Sequence, residues 1–208
     1  MFGKLFDNEN WFWRWMGRIP DFFALSILWA LCSLPVITVI PSSIALYDSI
    51  AHCIRFEEGG TYRRFFRTLW QELTRGIPLS LLWLAAGVGI YAGYNAIVAA
   101  AQTDTFMAVL SLIYLVSLFL PVGVLCWMIP LESRFVYDFA TLWRNSLAFA
   151  FSYLPTTVIV TALAFGMITL CLNLPVLIPL APAVLVTVQS FFIEKVLQQH
   201  MPKEEGDA

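Results

Sequence analysis

Arg63, Arg64 and Arg67 stand in "TYRRFFRTLWQELTRGIP", interleaved with Phe66 and Trp70. Guanidinium groups stay charged and present planar, paired donors, so their chemistry is binding: a lipid headgroup, or a partner carboxylate held bidentately. Tyr62, Phe66, Leu69 and Leu73 recur at helical spacing, while Arg63, Arg64, Arg67, Glu72 and Arg75 occupy other faces. That pattern predicts an amphipathic helix from Thr61 to Arg75, lying at the inner leaflet or docked on another membrane protein. "ESRFVYDFATLWRNS" repeats the pattern with Phe135, Phe139, Leu142 and Trp143.

Residues arranged for catalysis are not found. The sequence has no HExxH, phosphate loop, serine elbow or paired carboxylates in an apolar setting, and His52 and His200 fall in a loop and a tail. The expectation is a protein that is not an enzyme, with no catalytic residue, metal or cofactor. Cys32, Cys53, Cys126 and Cys171 are far apart and read as small buried hydrophobes. A net charge of −2 offers no basic surface for nucleic acid. Asn95, Asn173 and Gln189 are the strong polar side chains of the apolar segments, which disfavours a proton-driven pump and suggests hydrogen bonds between helices.

The elements that must position these residues are apolar. Hydrophobic residues make up 60% of the 208, charged residues only 12%, and mean hydropathy is +0.77. Uncharged runs extend over 22–47, 76–103, 105–131 and 145–193. At about 20 residues per crossing, the last holds two spans. The fold class expected is an all-α polytopic membrane bundle in one domain, 1–208. Its five spans are 22–47, 76–103, 105–131, 146–171 and 174–193, with two cytoplasmic amphipathic helices and a polar tail, 194–208. Barrel strands are excluded by the length and uniform apolarity of the runs. Residues 1–21 lack the apolar core of a signal peptide, and Trp11, Trp13 and Trp15 around Arg14 and Arg18 read as an interfacial segment.

The first run, "LCSLPVITVIPSS" at its centre, reads as one span broken at Pro35 and Pro41, with Thr38, Ser42, Ser43 or neighbouring helices satisfying the freed carbonyls. This leaves Lys4, Arg14 and Arg18 outside and all other Lys and Arg inside, with a cytoplasmic C-terminus. A hairpin would put every positive charge inside. Its legs, about 20 Å each, fall short of a core of roughly 30 Å, and it would carry Asp48 into lipid. The tripeptide "LPV" recurs at residues 34–36, 120–122 and 174–176, and "TLW" at 68–70 and 141–143, the order of a weak parallel repeat in which the first segment crosses. Gly89 and Gly93, with small residues around them, suit close helix packing.

"LSILWALCSLPVITVIPSSIALY" followed by "TYRRFFRTLW" resembles the YesL-like family of bacterial membrane proteins, a domain-of-unknown-function family. The resemblance rests most on Leu28, Trp29, residues 33–38 and 45–47, and then Phe65 and Phe66. Ser26 stands where the family often has Asn, and Ile40 where it often has Gly. The resemblance implies a multi-pass protein of the bacterial plasma membrane without established enzymatic activity, and an accessory role in carbohydrate use. The function expected is a non-catalytic accessory or scaffold protein, with a small-solute permease as the alternative. Its expected partners are membrane lipids and a membrane transport complex, a homo-oligomer being compatible. A permease calls for a polar-lined cavity near Pro35, Pro121 and Pro175, a scaffold for a dry, tightly packed bundle.

Overall fold

Proline sets most of the helix boundaries in the computed structural model, which describes residues 11–55, 60–101, 105–135 and 137–198. Helix α1 (Trp11–Cys32) ends before Pro35, which caps a 3-10 turn, Val36–Thr38, leading into α2 (Val39–Arg55). Pro121 has no N–H for the carbonyl four residues back, and the third run divides near it into α4 (Thr105–Ser117) and α5 (Phe119–Arg134). Pro155 opens α7 (Leu154–Asn173) directly after α6 (Phe139–Ser152). Pro175 begins a second 3-10 turn, Pro175–Leu177, before α8 (Ala181–Leu197). All three LPV tripeptides thus fall at breaks. Pro41 does not break a helix as expected: it lies in the first turn of α2, where no intrahelical N–H is needed.

The segment 22–47, expected as one kinked span, is two helices folded back on each other. Trp29 Nε1 donates to Ser43 Oγ at 3.1 Å across them. Phe22 and Leu25 share one buried cluster with Leu46, Ile50, Phe65 and Leu69. The Thr38 hydroxyl ties the turn by donating to the carbonyls of Cys32 and Pro35, and Ser42 and Ser43 donate to those of Thr38 and Val39. The first LPV lies at the tip of this helical hairpin.

Helix α3 (Thr61–Ala101) runs antiparallel to α2: Arg64 meets Asp48 at one end, and the Ile40 amide donates to Ser80 Oγ at the other. Between them Gly76 admits Pro41, whose Cγ would lie 2.5 Å from any added Cβ. The expected amphipathic helix 61–75 is therefore the opening of a continuous 41-residue helix, about 60 Å long. A surface-lying orientation would forfeit the packing of Phe65 (0% exposed) and Leu69 against α1 and α2. The second amphipathic segment is likewise bundled, as α6, with Leu142 buried and Trp143 stacked on Trp83 at 5.6 Å.

The main core gathers Ile44, Leu79, Val124, Trp127, Met128, Leu131, Val160 and Ile193. Trp127 is 1% exposed, and its indole N–H donates to Thr157 Oγ1 at 2.8 Å, which keeps the ring's one polar atom satisfied. Beyond Ser80, α3 presents Leu81, Leu84, Val88 and Tyr91 outward and packs on α4, where Tyr114 donates to the Ile90 carbonyl. No strand occurs among the described residues. Two helices, over Thr61–Ala99 and Leu154–Asn173, are long and apolar enough to cross a membrane. The interfacial reading of Trp11, Trp13 and Trp15 concerns side chains outside those described, as does Cys53.

Candidate functional site

The ends of α2, α5 and α8 converge with the start of α3, and the bundle's charge is collected there. Asp48 is 6% exposed, which in isolation would be prohibitive for a carboxylate. Arg64 answers it with two hydrogen bonds, Nε to Oδ2 at 2.8 Å and Nη2 to Oδ1 at 3.1 Å, and Thr68 Oγ1 adds a third at 2.8 Å. One helical turn on, His52 Nε2 lies 3.5 Å from Asp48 Oδ1 and 3.2 Å from Arg134 Nη1. Arg134 donates through Nε and Nη2 to Glu194 Oε1 at 3.0 and 2.7 Å, and the Tyr47 hydroxyl donates to the same oxygen at 3.2 Å. Four helices are joined by this chain of alternating charge, whose paired, multiply bonded members meet the condition for burying ions.

A cavity of about 840 Å³ opens beside the chain, lined by Asp48, His52, Arg63, Arg64, Arg67 and Glu72 among others. A second, of about 490 Å³, is lined by Arg75, Glu132, Tyr137 and Asp138 with apolar neighbours. Glu132, just beyond the uncharged run that ends at Leu131, is 9% exposed, and burial pushes its carboxyl up to about 7. The Glu72 charge raises it further, and Arg75 opposes. Glu72, ahead of the run that begins at Gly76, is also raised by burial, with Arg75 opposing and Asp48 adding to the rise. Oε2 of each glutamate is buried without a hydrogen-bond partner. Glu72 lines the larger cavity and Glu132 the smaller one. Among the described residues, no three His, Cys, Asp or Glu form a metal-binding group.

The three arginines read as one group divide. Arg64 is committed to Asp48, while Arg63 and Arg67 are exposed on the cavity wall. Phe66 meets Phe65 edge to face, and Trp70 is 73% exposed on the outer side of α3. Tyr62, expected in the apolar stripe, donates its hydroxyl to Asp21 Oδ1 at 2.7 Å. Pro35 and Thr38 form the hairpin turn, and Pro41 the contact with Gly76. Gly93 admits Tyr114, whose hydroxyl would lie 2.7 Å from an added Cβ, as close packing requires. Gly89 faces open space: among the described residues nothing lies within 4 Å of an added Cβ. Gln189 bridges helices by donating to the Val160 carbonyl, but Asn95 and Asn173 bond within their own helices. His52 lies in α2 rather than in a loop, and Cys32, Cys126 and Cys171 are free and only half-buried.

Sequence reasoning missed Tyr47, Thr68, Glu132, Arg134 and Glu194. The available signal was positional: Glu132 and Glu194 each end an uncharged run, where a bundle's polar rim must lie. No curated protein and no solved structure matches the chain. Residues 22–94, which hold the hairpin, Asp48, Arg64 and most of α3, match the model of the family described as "Protein of unknown function, DUF624".

Proposed function

We propose that the chain is a non-catalytic component of the bacterial plasma membrane that acts as an accessory or scaffold to a transport system for carbohydrate. The observation that carries this reading is the interior at mid-bundle. A cavity of about 470 Å³ lies between α1, α2, α5, α7 and α8, lined by Leu46, Val122, Ile129, Met167, Leu185 and similar side chains. The polar groups reaching it are already bonded: Trp29 to Ser43, Tyr47 to Glu194, Gln189 to the Val160 carbonyl. A permease for polar solutes requires donors and acceptors that can replace the solute's water, whereas this cavity is lined almost entirely by apolar side chains. The carbohydrate link itself comes from the family resemblance alone.

In this reading α3, α4 with α5, α6 with α7, and α8 cross the membrane, and the α1–α2 hairpin enters and returns. The five crossings expected become four plus a re-entrant hairpin. All Lys and Arg then lie on the cytoplasmic side with both termini, satisfying the positive-inside rule better than an external N-terminus does. Lipid acyl chains cover the outer faces of α3 and α7, and Trp70 and Phe66 meet the inner leaflet or the partner.

Reconstitution tests the reading. The purified chain in liposomes is expected to carry no labelled sugar, while deleting it in its bacterium lowers sugar uptake through a separate transporter that copurifies with it. Saturable sugar uptake by the chain alone would establish the permease alternative.

A further inference from the structure

The cavity of about 840 Å³ at the polar end has a wall whose positive charge is not balanced. Arg63, Arg67 and Gln71 all line it and follow one another at four-residue steps on α3, so they stand one turn apart along a single face. All three are exposed. Two like charges at this spacing repel, and the usual remedy is a carboxylate three or four positions away. At those positions the sequence has only glycine, phenylalanine, tryptophan, glutamine and further arginine. Of the acidic residues on the same wall, Asp48 is taken by Arg64 and Thr68, and burial raises the Glu72 carboxyl, which favours its uncharged form. Among the described residues, neither Arg63 nor Arg67 is joined to a carboxylate.

We propose that this cavity is a binding site for a phosphate group, held between the guanidinium groups of Arg63 and Arg67 with the Gln71 amide as a further donor. A carboxylate is a poorer match: its two oxygens are occupied by a single guanidinium, as Asp48 and Arg64 show in the same cavity. A phosphate has more oxygens and more charge, so it accepts from two arginines at once. The same pair of charges repels a metal cation. At about 840 Å³ the cavity falls within the roughly 300–1,000 Å³ of ligand sites, so it also has room for the group that carries the phosphate. That carrier is either the headgroup of an anionic phospholipid or a soluble phosphate compound. Phe66 and Trp70, next to the arginines on α3 and exposed, offer an apolar flank to the chains of a lipid. The site is independent of the accessory role: sugar transport decides that role, and anion binding decides this one.

The experiment is a calorimetric titration of the full chain in a neutral detergent, at constant ionic strength, with inorganic phosphate, with dihexanoyl phosphatidylglycerol and with chloride as the control. The expected result is saturable binding of a phosphate probe, weakened about tenfold or more in Arg63→Gln and in Arg67→Gln, the scale of a lost hydrogen bond to a charged group. The unfolding temperature of the unliganded variants stays that of the wild type, which separates lost binding from lost folding. Tighter binding of phosphatidylglycerol assigns the phosphate to a lipid headgroup, and tighter binding of inorganic phosphate assigns it to a soluble compound; both uphold the site. A wild type that binds neither probe, binding that survives when both arginines are changed to Gln, or an equal response to chloride would overturn the proposal. So would tighter binding of a hexaglutamate peptide, which would make the cavity a dock for an acidic segment of a partner. Phosphate binding that appears only in Glu57→Gln with Glu58→Gln would also overturn it, by giving the arginines to the chain's own carboxylates.

Discussion

Arg64 grips Asp48 through two parallel hydrogen bonds, so a charge that argued against a hairpin becomes the fastening between its returning leg and α3. Arg63 and Arg67, one position before and three after, share neither the bond nor the burial. These three arginines are thus of two kinds: one fixes structure and two face the cavity without sharing in that bond.

Substituting lysine separates them. Arg63→Lys with Arg67→Lys should leave stability unchanged, whereas Arg64→Lys loses the bidentate geometry and should cost about 1 kcal/mol. Arg64→Ala should cost about 2 kcal/mol, below the roughly 3–5 kcal/mol of a fully buried pair because Arg64 retains solvent contact. Thermal unfolding of the purified variants in detergent checks the order, and an Arg64→Lys protein as stable as the wild type would contradict the assigned role.

Gly76 and Gly89 lie on the same helix and should respond oppositely to alanine. At Gly76 the new methyl group meets the Pro41 ring, with no room to shift without moving α2, and overpacking of about 1–3 kcal/mol follows. At Gly89 nothing lies within 4 Å, and alanine should be neutral or stabilising by at most about 1 kcal/mol. Unfolding temperatures measured side by side test the pair. Destabilisation at Gly89 would show that its face is covered by another molecule.

Sidedness follows from the hairpin. In a chain freed of Cys32, Cys53, Cys126 and Cys171, Ile19→Cys should react with an impermeant thiol reagent only after cell lysis. Asn173→Cys, at the opposite end, should react in intact cells. Labelling of Ile19→Cys from outside would restore the single crossing.

Stability should depend on pH through Glu132. Its folded carboxyl, at about 7, lies above the ordinary 4.5, so the folded state holds more protons than the unfolded state between those values. The contribution of this group is full at and below pH 4.5, falls as pH rises towards about 7, and levels off above it. Glu132→Gln should flatten that decline. Denaturant unfolding at a series of pH values measures both slopes.

The helices were legible because uncharged runs and prolines are local signals, and Pro35, Pro121, Pro155 and Pro175 all mark breaks. The hairpin was not, because Asp48 by itself looks too costly to bury, and its remedy lies at Arg64 and Thr68 on a helix that also reads as a membrane-surface anchor. The same holds for the site as a whole. Arg134 and Glu194 are 60 positions apart, and Tyr47 and Glu194 are 147 apart. Hydrophobic periodicity carries no information about which charged ends will meet. Arg63, Arg64 and Arg67 were visible as basic residues, but their division into one paired and two exposed groups depends on where α2 returns.

Ser26, buried in α1, accepts from the Ala183 amide at 3.1 Å and so serves the opening turn of α8. Tyr47 on α2 depends on the far end of the same helix through Glu194. The earliest helices to leave the ribosome are therefore finished by the latest one. During synthesis the hairpin must wait for α8 before the Ala183 amide can bond Ser26 and Glu194 can bond Tyr47. A chain cut short before α8 should be retained by the insertion machinery or degraded rather than accumulate, which makes the last helix the checkpoint for the whole molecule.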